Sequence, residues 1–198
     1  MQGVLVDDMR EADLVVFTGG EDVDPRMYKT PRHPKTYCNL RRDMLENAEM
    51  VKAERLGKHM IGICRGMQLM CVYNGGMLIQ HQDNPGTHMV ETFDGKRFLM
   101  SSLHHQAAYP FDLPEDDWRP IAWTKDLLRM HEDWNEHELN PPIELEAIWF
   151  PKTKCFGIQG HPEMMDSSSS GVLYFQNLLN LFLQDKLTAN VSKEITNR

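Results

Sequence analysis

Cys64 stands in the stretch GICRG, with Gly62 and Gly66 two residues to either side of it. An apolar run precedes this stretch and a helix-like run follows it, which is the pattern of a nucleophile elbow, a sharp strand-to-helix turn. Small residues suit the two flanking positions because the backbone segments there approach each other closely. The start of a helix favours a thiolate over a thiol. We therefore expect Cys64 to be an exposed, ionised nucleophile, with a buried core thiol as the alternative.

A nucleophilic cysteine needs a base and a group that orients the base. His161 and Glu163 supply both in the stretch GIQGHPE. In an extended backbone residues i and i+2 point to the same side, so Glu163 could bind the far ring nitrogen of His161 and hold one tautomer. Alone, this stretch also fits a capped turn. Together with the elbow, and with each motif at the end of a predicted strand, it favours a catalytic site.

The elements that must position these residues alternate between strands and helices. Apolar runs predict strands at residues 13–17 and 59–63, and helical spacing predicts helices at residues 41–57 and 66–76. Further short strand candidates share the second half of the chain and lie at residues 97–105, 118–124, 145–150 and 154–160. The alternation predicts an α/β fold with a mostly parallel central sheet and some antiparallel pairing in its middle.

A last helix is predicted after the serine run at residues 167–170, with a serine as its N-cap. We expect a single domain over residues 1–187, followed by a polar C-terminal tail over residues 188–198. The segment 129–142 is acidic and polar and is predicted to be a surface loop.

Composition and charge exclude several classes of partner and ligand. The 198 residues carry a formal net charge of -8 and no Lys/Arg cluster, so neither nucleic acid nor an anionic membrane is an expected partner. No apolar run approaches the roughly 20 residues of a membrane span, and no secretory signal is recognised, so we expect a cytoplasmic protein. The four cysteines include no C-x-x-C pair and the nine histidines no metal-binding spacing. We expect no metal and no cofactor.

The stretches GICRGMQ and GIQGHPE together resemble the triad of class I glutamine amidotransferases. The stretch GGEDVDP at residues 19–25, the arginine after the cysteine, and SSLHHQA at residues 101–107 resemble more closely the gamma-glutamyl-gamma-aminobutyrate hydrolase family, grouped with cysteine peptidase family C26. The resemblance covers about residues 13–183. It implies a three-layer, flavodoxin-like class I glutamine amidotransferase fold.

The resemblance also implies catalytic roles. Cys64 would attack the side-chain amide carbonyl of a γ-glutamyl compound and form a γ-glutamyl thioester. His161 would relay protons, and Glu163 would orient His161. The oxyanion would lie against the backbone N–H groups of Gly20 and Arg65.

Three further residues match positions of the family's glutamyl pocket: Gln68, His105 and Gln106. For the last two, a contact through the backbone is an alternative to one through the side chain. The substrate implied is a small γ-glutamyl compound or glutamine.

The chain departs from the family pattern in three places. Relatives usually have a further strand-helix-strand portion ahead of GGEDVDP, so either the sheet is shortened at the N-terminus or the start shown is not the natural one. Relatives commonly have an aromatic residue where this chain has Gly160, and a smaller residue there would open the pocket or loosen His161. The acidic segment 129–142 has no counterpart.

Three functions remain in view. The CRG and SLHHQA stretches favour a standalone γ-glutamyl hydrolase. The alternative within the same chemistry is a glutaminase subunit that supplies ammonia to a separate synthetase partner. A non-catalytic regulatory or binding protein with a retained triad is the alternative from another class. The sequence leaves open the amine half of the substrate and whether the protein forms a homo-oligomer.

Overall fold

A computed structural model of the protein describes residues 3–82, 86–125 and 141–188. Its strands and helices follow in chain order as β1 Leu14–Phe17, α1 Leu40–Arg55, β2 His59–Ile63, α2 Arg65–Tyr73, β3 Met77–Ile79, β4 His88–Thr92, β5 Arg97–Met100, β6 Ala107–Tyr109, β7 Arg119–Thr124, β8 Glu144–Phe150, β9 Cys155–Ile158 and α3 Ser170–Leu183. Two short 3₁₀ turns lie at Pro25–Tyr28 and Pro162–Met164.

Seven strands form one mixed sheet in the order β1-β2-β9-β8-β7-β4-β5. The pairs β1-β2 and β2-β9 are parallel, and the remaining pairs are antiparallel. Strands β3 and β6 form a separate antiparallel pair. The α/β fold class is therefore confirmed, but the seven-stranded sheet is mixed and not mostly parallel, since two of its six strand pairs are parallel. The parallel pairing lies in the three strands from which the site residues follow.

Helices cover both faces of this sheet, which gives three layers. Strand β2 shows why, because its side chains alternate between two core clusters. Met60 packs in a cluster with Met50 of α1 and Met67 of α2, whereas Ile61 packs in a second cluster with Phe175 of α3. All of these side chains are at most 6% exposed, so the sheet is buried on both sides where it carries the site.

Local sequence signals set the limits of the helices. Helix α1 begins where the Asn39 side chain accepts the Arg42 N–H, and it ends before Gly57, which has a φ of 67°. Helix α3 begins with Ser169 as its N-cap, as the serine run predicts. The predicted strands and helices are confirmed with shifts of a few residues at their ends. Strands β3, β4 and β6 are additional to the predicted ones.

Two predicted segments fall wholly or largely outside the described residues: the polar tail, from residue 189 onward, and the acidic segment, from residue 129 to 140. Within the described ranges, no helix is both long and apolar enough to cross a membrane. Strand β1 is at the edge of the sheet, and β2 is its partner there.

Candidate active site

The parallel strands bring the predicted site residues to one edge of the sheet. Strands β1, β2 and β9 run side by side in register, with Ile63 opposite Ile158, so their carboxyl ends lie together. Gly19 follows β1, Cys64 follows β2, and His161 follows β9. This is the edge at which open α/β sheets form their sites.

Cys64 occupies the predicted elbow between β2 and α2. Its φ of 53° and ψ of -110° are unusual for a residue with a side chain, a conformation that costs roughly 1–3 kcal/mol unless the surroundings enforce it. The surroundings do so here. A Cβ on Gly62 would lie 2.4 Å from the carbonyl carbon of Gly66, and a Cβ on Gly66 would lie 2.2 Å from the Phe17 carbonyl oxygen. Both flanking positions therefore accept only glycine without a shift of the backbone.

The environment of the thiol differs from the sequence prediction. Cys64 is only 7% exposed, and burial raises the pKa of its thiol to about 11. The Arg65 N–H donates to the sulfur and acts in the opposite direction, but nearby carboxylates, led by Glu163, add to the rise. The expectation of an exposed, ionised thiolate is wrong because desolvation outweighs the helix N-terminus. A resting thiol of this kind needs a base during attack.

His161 and Glu163 form the predicted pair. His161 Nδ1 lies 2.6 Å from Glu163 Oε1, and the imidazole is buried while the carboxylate is half exposed. The pair forms across the 3₁₀ turn that follows His161 and not across an extended segment. Since Nδ1 faces Glu163, the tautomer with a proton on Nδ1 leaves Nε2 as the basic atom.

Gly19 lies close to both the imidazole of His161 and the nucleophile. A Cβ placed on Gly19 would lie 3.1 Å from Cε1 and 3.9 Å from Nε2 of His161, and 3.7 Å from the Cβ of Cys64. Across the part of the chain that is described, the His161 side chain bonds to Glu163, its backbone bonds to Ser101 and Met164, and no hydrogen bond joins it to Cys64. Catalytic hydrogen bonds are often long before substrate binds and tighten in the complex.

Gly160 does not loosen His161. The space that a side chain would need is filled, because a Cβ on Gly160 would lie 2.4 Å from Met100 Cγ and 2.7 Å from the Ser101 carbonyl oxygen. The His161 N–H donates to Ser101 Oγ at 3.0 Å, and the same hydroxyl lies 3.3 Å from the His161 carbonyl oxygen. Met100 and Ser101 therefore take over the packing that an aromatic residue would supply.

Arg42 holds the peptide between Gly19 and Gly20 by its carbonyl oxygen. Arg42 Nη2 donates to the Gly19 carbonyl oxygen at 3.0 Å. In a trans peptide the C=O and the following N–H point in opposite directions, so the Gly20 N–H points away from Arg42. A Cβ on Gly20 would lie 2.1 Å from Arg42 Nη1, which explains why glycine stands there. This geometry fits the expected oxyanion donor.

A buried ion-pair network joins the two expected oxyanion donors. The Arg65 guanidinium is 1% exposed and binds Asp43 and Glu46 of α1. Glu46 also accepts from Arg42 Nε at 2.8 Å, and Asp43 accepts the Asp24 N–H at 2.9 Å. One face of α1 thus holds both the elbow and the loop after β1. The acidic residues on the polar face of α1 were the only sequence signal for this network. No short spacing along the chain connected them to Arg65.

A pocket of about 220 Å³ opens beside the nucleophile. Its lining includes the nucleophile Cys64, the expected oxyanion donor Gly20, and the three residues that were predicted to contact the glutamyl group: Gln68, His105 and Gln106. Arg65, the other expected oxyanion donor, is not among the lining residues. The other lining residues are Glu21, Asp22, Tyr37, Leu103 and His104. Two carboxylates, Glu21 and Asp22, are therefore pocket residues that the sequence prediction did not single out, although the GGEDVDP stretch contains them.

The pocket side chains are held by contacts within the protein. Gln68 Nε2 donates to the Gln106 carbonyl oxygen at 3.0 Å and to Gln159 Oε1 at 3.3 Å. His105 Nε2 lies 3.1 Å from Asp22 Oδ1. The pocket is thus largely preformed, which limits the ordering that a ligand must impose.

The other cysteines do not share this setting. Cys71 is fully buried on α2, and burial raises the pKa of its thiol to about 12. Cys155 is equally buried, with its pKa raised to about 12 by the same cause. Both therefore fit core residues.

Comparison with known proteins gives three likenesses. The family model described as Peptidase C26 matches residues 4–91. Protein NtpR of Enterococcus hirae is 28% identical over 202 residues, covering 88% of this chain and 75% of NtpR. The glutamine amidotransferase-like YvdE homolog of Lactococcus lactis subsp. cremoris is 35% identical over 117 residues, 48% of this chain and 62% of that protein.

Among solved structures, the glutaminase domain of Trypanosoma brucei CTPS with bound acivicin superposes with a TM-score of 0.57. The match covers 93% of this chain and 77% of that domain at 12% identity, so it concerns the fold alone.

Proposed function

We propose that this chain, which belongs to the class I glutamine amidotransferase-like superfamily and is related to the C26 peptidases, hydrolyses the γ-glutamyl amide bond of a small γ-glutamyl compound. The observation that carries the proposal is that Cys64 and His161 both lie close to Gly19 at the carboxyl edge of the sheet. The neighbouring pocket, about 220 Å³ with a polar lining, suits a small polar substrate.

In the first half-reaction, Cys64 Sγ attacks the amide carbonyl carbon while His161 Nε2 takes the thiol proton. The oxyanion that forms lies against the N–H groups of Arg65 and Gly20. The C–N bond then breaks, and His161 returns the proton to the leaving amine. A γ-glutamyl thioester on Cys64 remains.

In the second half-reaction, His161 takes a proton from water as the water oxygen attacks the thioester carbonyl. The same N–H groups stabilise the second oxyanion. The C–S bond breaks, the sulfur recovers the proton from His161, and glutamate leaves. Glu163 holds the imidazole in the orientation that both steps need.

A separate function with the same chemistry is glutamine hydrolysis that supplies ammonia to a synthetase. The likeness to the glutamine amidotransferase-like YvdE homolog supports this second candidate. The two differ in the amine that leaves and in the need for a partner.

Release of glutamate from a panel of γ-glutamyl amides, including γ-glutamyl-aminobutyrate and glutamine, tests the proposal. Each amide is assayed with the chain alone and with added cell extract. We expect turnover of a γ-glutamyl amide by the chain alone. Glutamine turnover that is comparable or better, and that requires the extract, would reverse the order of the two candidates.

Two cysteine-to-serine variants test the nucleophile, one at Cys64 and a matched control at Cys38. Cys64→Ser should abolish glutamate release and labelling by a glutamine-like electrophile while the circular dichroism spectrum stays unchanged. Cys38→Ser should leave both intact, because Cys38 binds Asp24 through a donor that serine also has. Wild-type activity in Cys64→Ser would refute the assignment of Cys64 as the nucleophile. No glutamate release from any amide by the wild-type chain would favour the non-catalytic alternative.

A further inference from the structure

Three buried side chains lie close together beside the pocket, and none of them donates a hydrogen bond to another. His104, Glu144 and Glu146 each offer one ligand atom, and these atoms lie within 4.8 Å of one another. The residues are 4%, 2% and 0% exposed. His104 lies in the loop between β5 and β6, and the two glutamates lie two residues apart on β8, so they share one face of that strand.

The tautomer of His104 is fixed by its neighbour. Nδ1 lies 2.8 Å from the Gln106 carbonyl oxygen, which can only accept, so Nδ1 carries the proton. Nε2 then carries a lone pair, and it has no hydrogen-bond partner.

The two carboxylates are arranged in the same way. One oxygen of Glu144 accepts from Gln82 Nε2, and Oε1 of Glu146 lies 2.9 Å from His88 Nε2. The second oxygen of each carboxylate is buried and has no hydrogen-bond partner. Each of the three side chains is thus held through one atom by a neighbour, while its other ligand atom is buried without a hydrogen-bond partner.

Such an arrangement needs a positive centre. Three buried acceptors without a donor are costly, and a single shared proton bridges two of them and leaves the third unpaired. A cation satisfies all three together. Tetrahedral ligands at roughly 2.0–2.2 Å from one ion lie about 3.3–3.6 Å from each other, so ligand atoms that are now within 4.8 Å would close by about 1 Å when the ion binds.

We propose that His104, Glu144 and Glu146 bind a divalent first-row cation, Zn²⁺ or Mn²⁺. One imidazole nitrogen with two carboxylate oxygens suits these ions, whereas Mg²⁺ and Ca²⁺ prefer oxygen ligands alone. The contacts from Gln82 and His88 and to the Gln106 carbonyl correspond to the outer hydrogen bonds that orient the ligands in metal sites. The site is distinct from Cys64 and His161 and is independent of the proposed hydrolysis.

The cation would stabilise the loop that lines one side of the pocket. The Gln106 carbonyl that orients His104 also accepts from Gln68 Nε2, and the Glu146 carbonyl accepts the Gln159 N–H. A bound ion would therefore fix the loop that carries His105 and Gln106. The sequence expectation of no metal rested on spacing along the chain, where 40 positions separate His104 from Glu144.

Metal content and thermal stability of the full chain test this proposal. The protein is treated with a chelator, dialysed, and titrated separately with Zn²⁺, Mn²⁺ and Mg²⁺. We expect one equivalent of Zn²⁺ or Mn²⁺ by elemental analysis, a raised Tm with that ion, and neither effect with Mg²⁺. Absence of a stoichiometric ion would overturn the proposal and leave a shared proton in the cluster.

Variants locate the ion. Glu144→Gln should lose it, and Gln82→Ala should weaken binding by about 10–100-fold, as for other outer contacts. Glu49→Gln, at an exposed carboxylate of α1, is the control and should bind normally. Cys64→Ser should also bind normally, and loss of the ion in that variant would place it at the nucleophile and refute the site.

A spectroscopic readout on the wild-type chain keeps the test decisive if Glu144→Gln does not fold. Bound Co²⁺ should show visible absorption without a sulfur-to-metal charge-transfer band, because the ligands are nitrogen and oxygen. A charge-transfer band would mean thiolate ligation and would contradict the proposal.

Discussion

Replacement of Arg42 by alanine tests whether the Gly19–Gly20 peptide supplies an oxyanion donor. Arg42 holds the Gly19 carbonyl oxygen at 3.0 Å and is held in turn by Glu46 at 2.8 Å. Without this contact the peptide can rotate, and the Gly20 N–H no longer points in one fixed direction. We expect slower turnover in a protein that still folds.

The expected fall in kcat follows from the cost of losing an oxyanion donor and from the exposure of Arg42. Loss of an oxyanion donor costs about 10²–10³ in kcat. Arg42 orients that donor without being the donor, and its side chain is 27% exposed, so water can replace part of its contact with the Gly19 oxygen. We therefore expect kcat to fall about 10-fold to 100-fold, or ~1.4–2.7 kcal/mol of transition-state stabilisation. KM should change little, because the donor acts on charge that develops only in the transition state.

Two rates measured on the same variant separate this effect from general damage. Glutamate release from a γ-glutamyl amide requires the oxyanion site. Alkylation of Cys64 by iodoacetamide is a displacement at carbon that forms no oxyanion, so its rate should be unchanged in Arg42→Ala. Arg41→Ala, at the exposed neighbouring position on α1, should leave both rates at the wild-type level. A wild-type kcat in Arg42→Ala, or an equal fall of both rates, would refute the reasoning.

Further predictions concern the thiols and the elbow. His161→Ala should slow alkylation of Cys64 near neutral pH because no base takes the proton, and an unchanged rate would mean that the ring does not act on the sulfur. Since burial raises the pKa of the Cys64 thiol to about 11, alkylation of the wild-type chain should keep accelerating up to about pH 10, and a plateau near pH 8 would contradict this. Gly62→Ala should abolish turnover and lower stability by about 1–3 kcal/mol in urea unfolding, because the added Cβ meets backbone atoms; wild-type kinetics would disprove the strain. In the folded state the pKa of the Cys71 thiol is raised to about 12, whereas in the unfolded chain a thiol loses its proton above about pH 8.5. The free energy of unfolding should therefore fall as pH rises from about 9 to about 12. Cys71→Ala should make the urea midpoint less sensitive to pH over that range, and an identical slope would exclude this contribution.

Local sequence was sufficient for the features that depend on neighbours along the chain. The elbow could be predicted because Gly62, Cys64 and Gly66 are consecutive parts of one turn, and its backbone geometry is confirmed. The pairing of His161 with Glu163 was likewise predictable from a spacing of two, although the backbone forms a 3₁₀ turn there. Strands β3, β4 and β6 were not predicted, because each is short and gains its stability from its sheet partners.

Tertiary structure decided the electrostatics. Arg65 was predictable as a backbone donor, but only the fold places Asp43 and Glu46 around its guanidinium, from 22 and 19 positions away. The helix N-terminus next to Cys64 favoured ionisation, and the burial that reverses this comes from the sheet and the loops packed over the elbow.

Sequence by itself thus determined which residues can do chemistry and which turn carries them, because dihedral preferences and short spacings are encoded locally. Only the folded chain determined which charges meet and which atoms lose water, as with His104 and the carboxylates of β8. Burial and charge proximity arise from contacts between distant segments, and no local pattern records them.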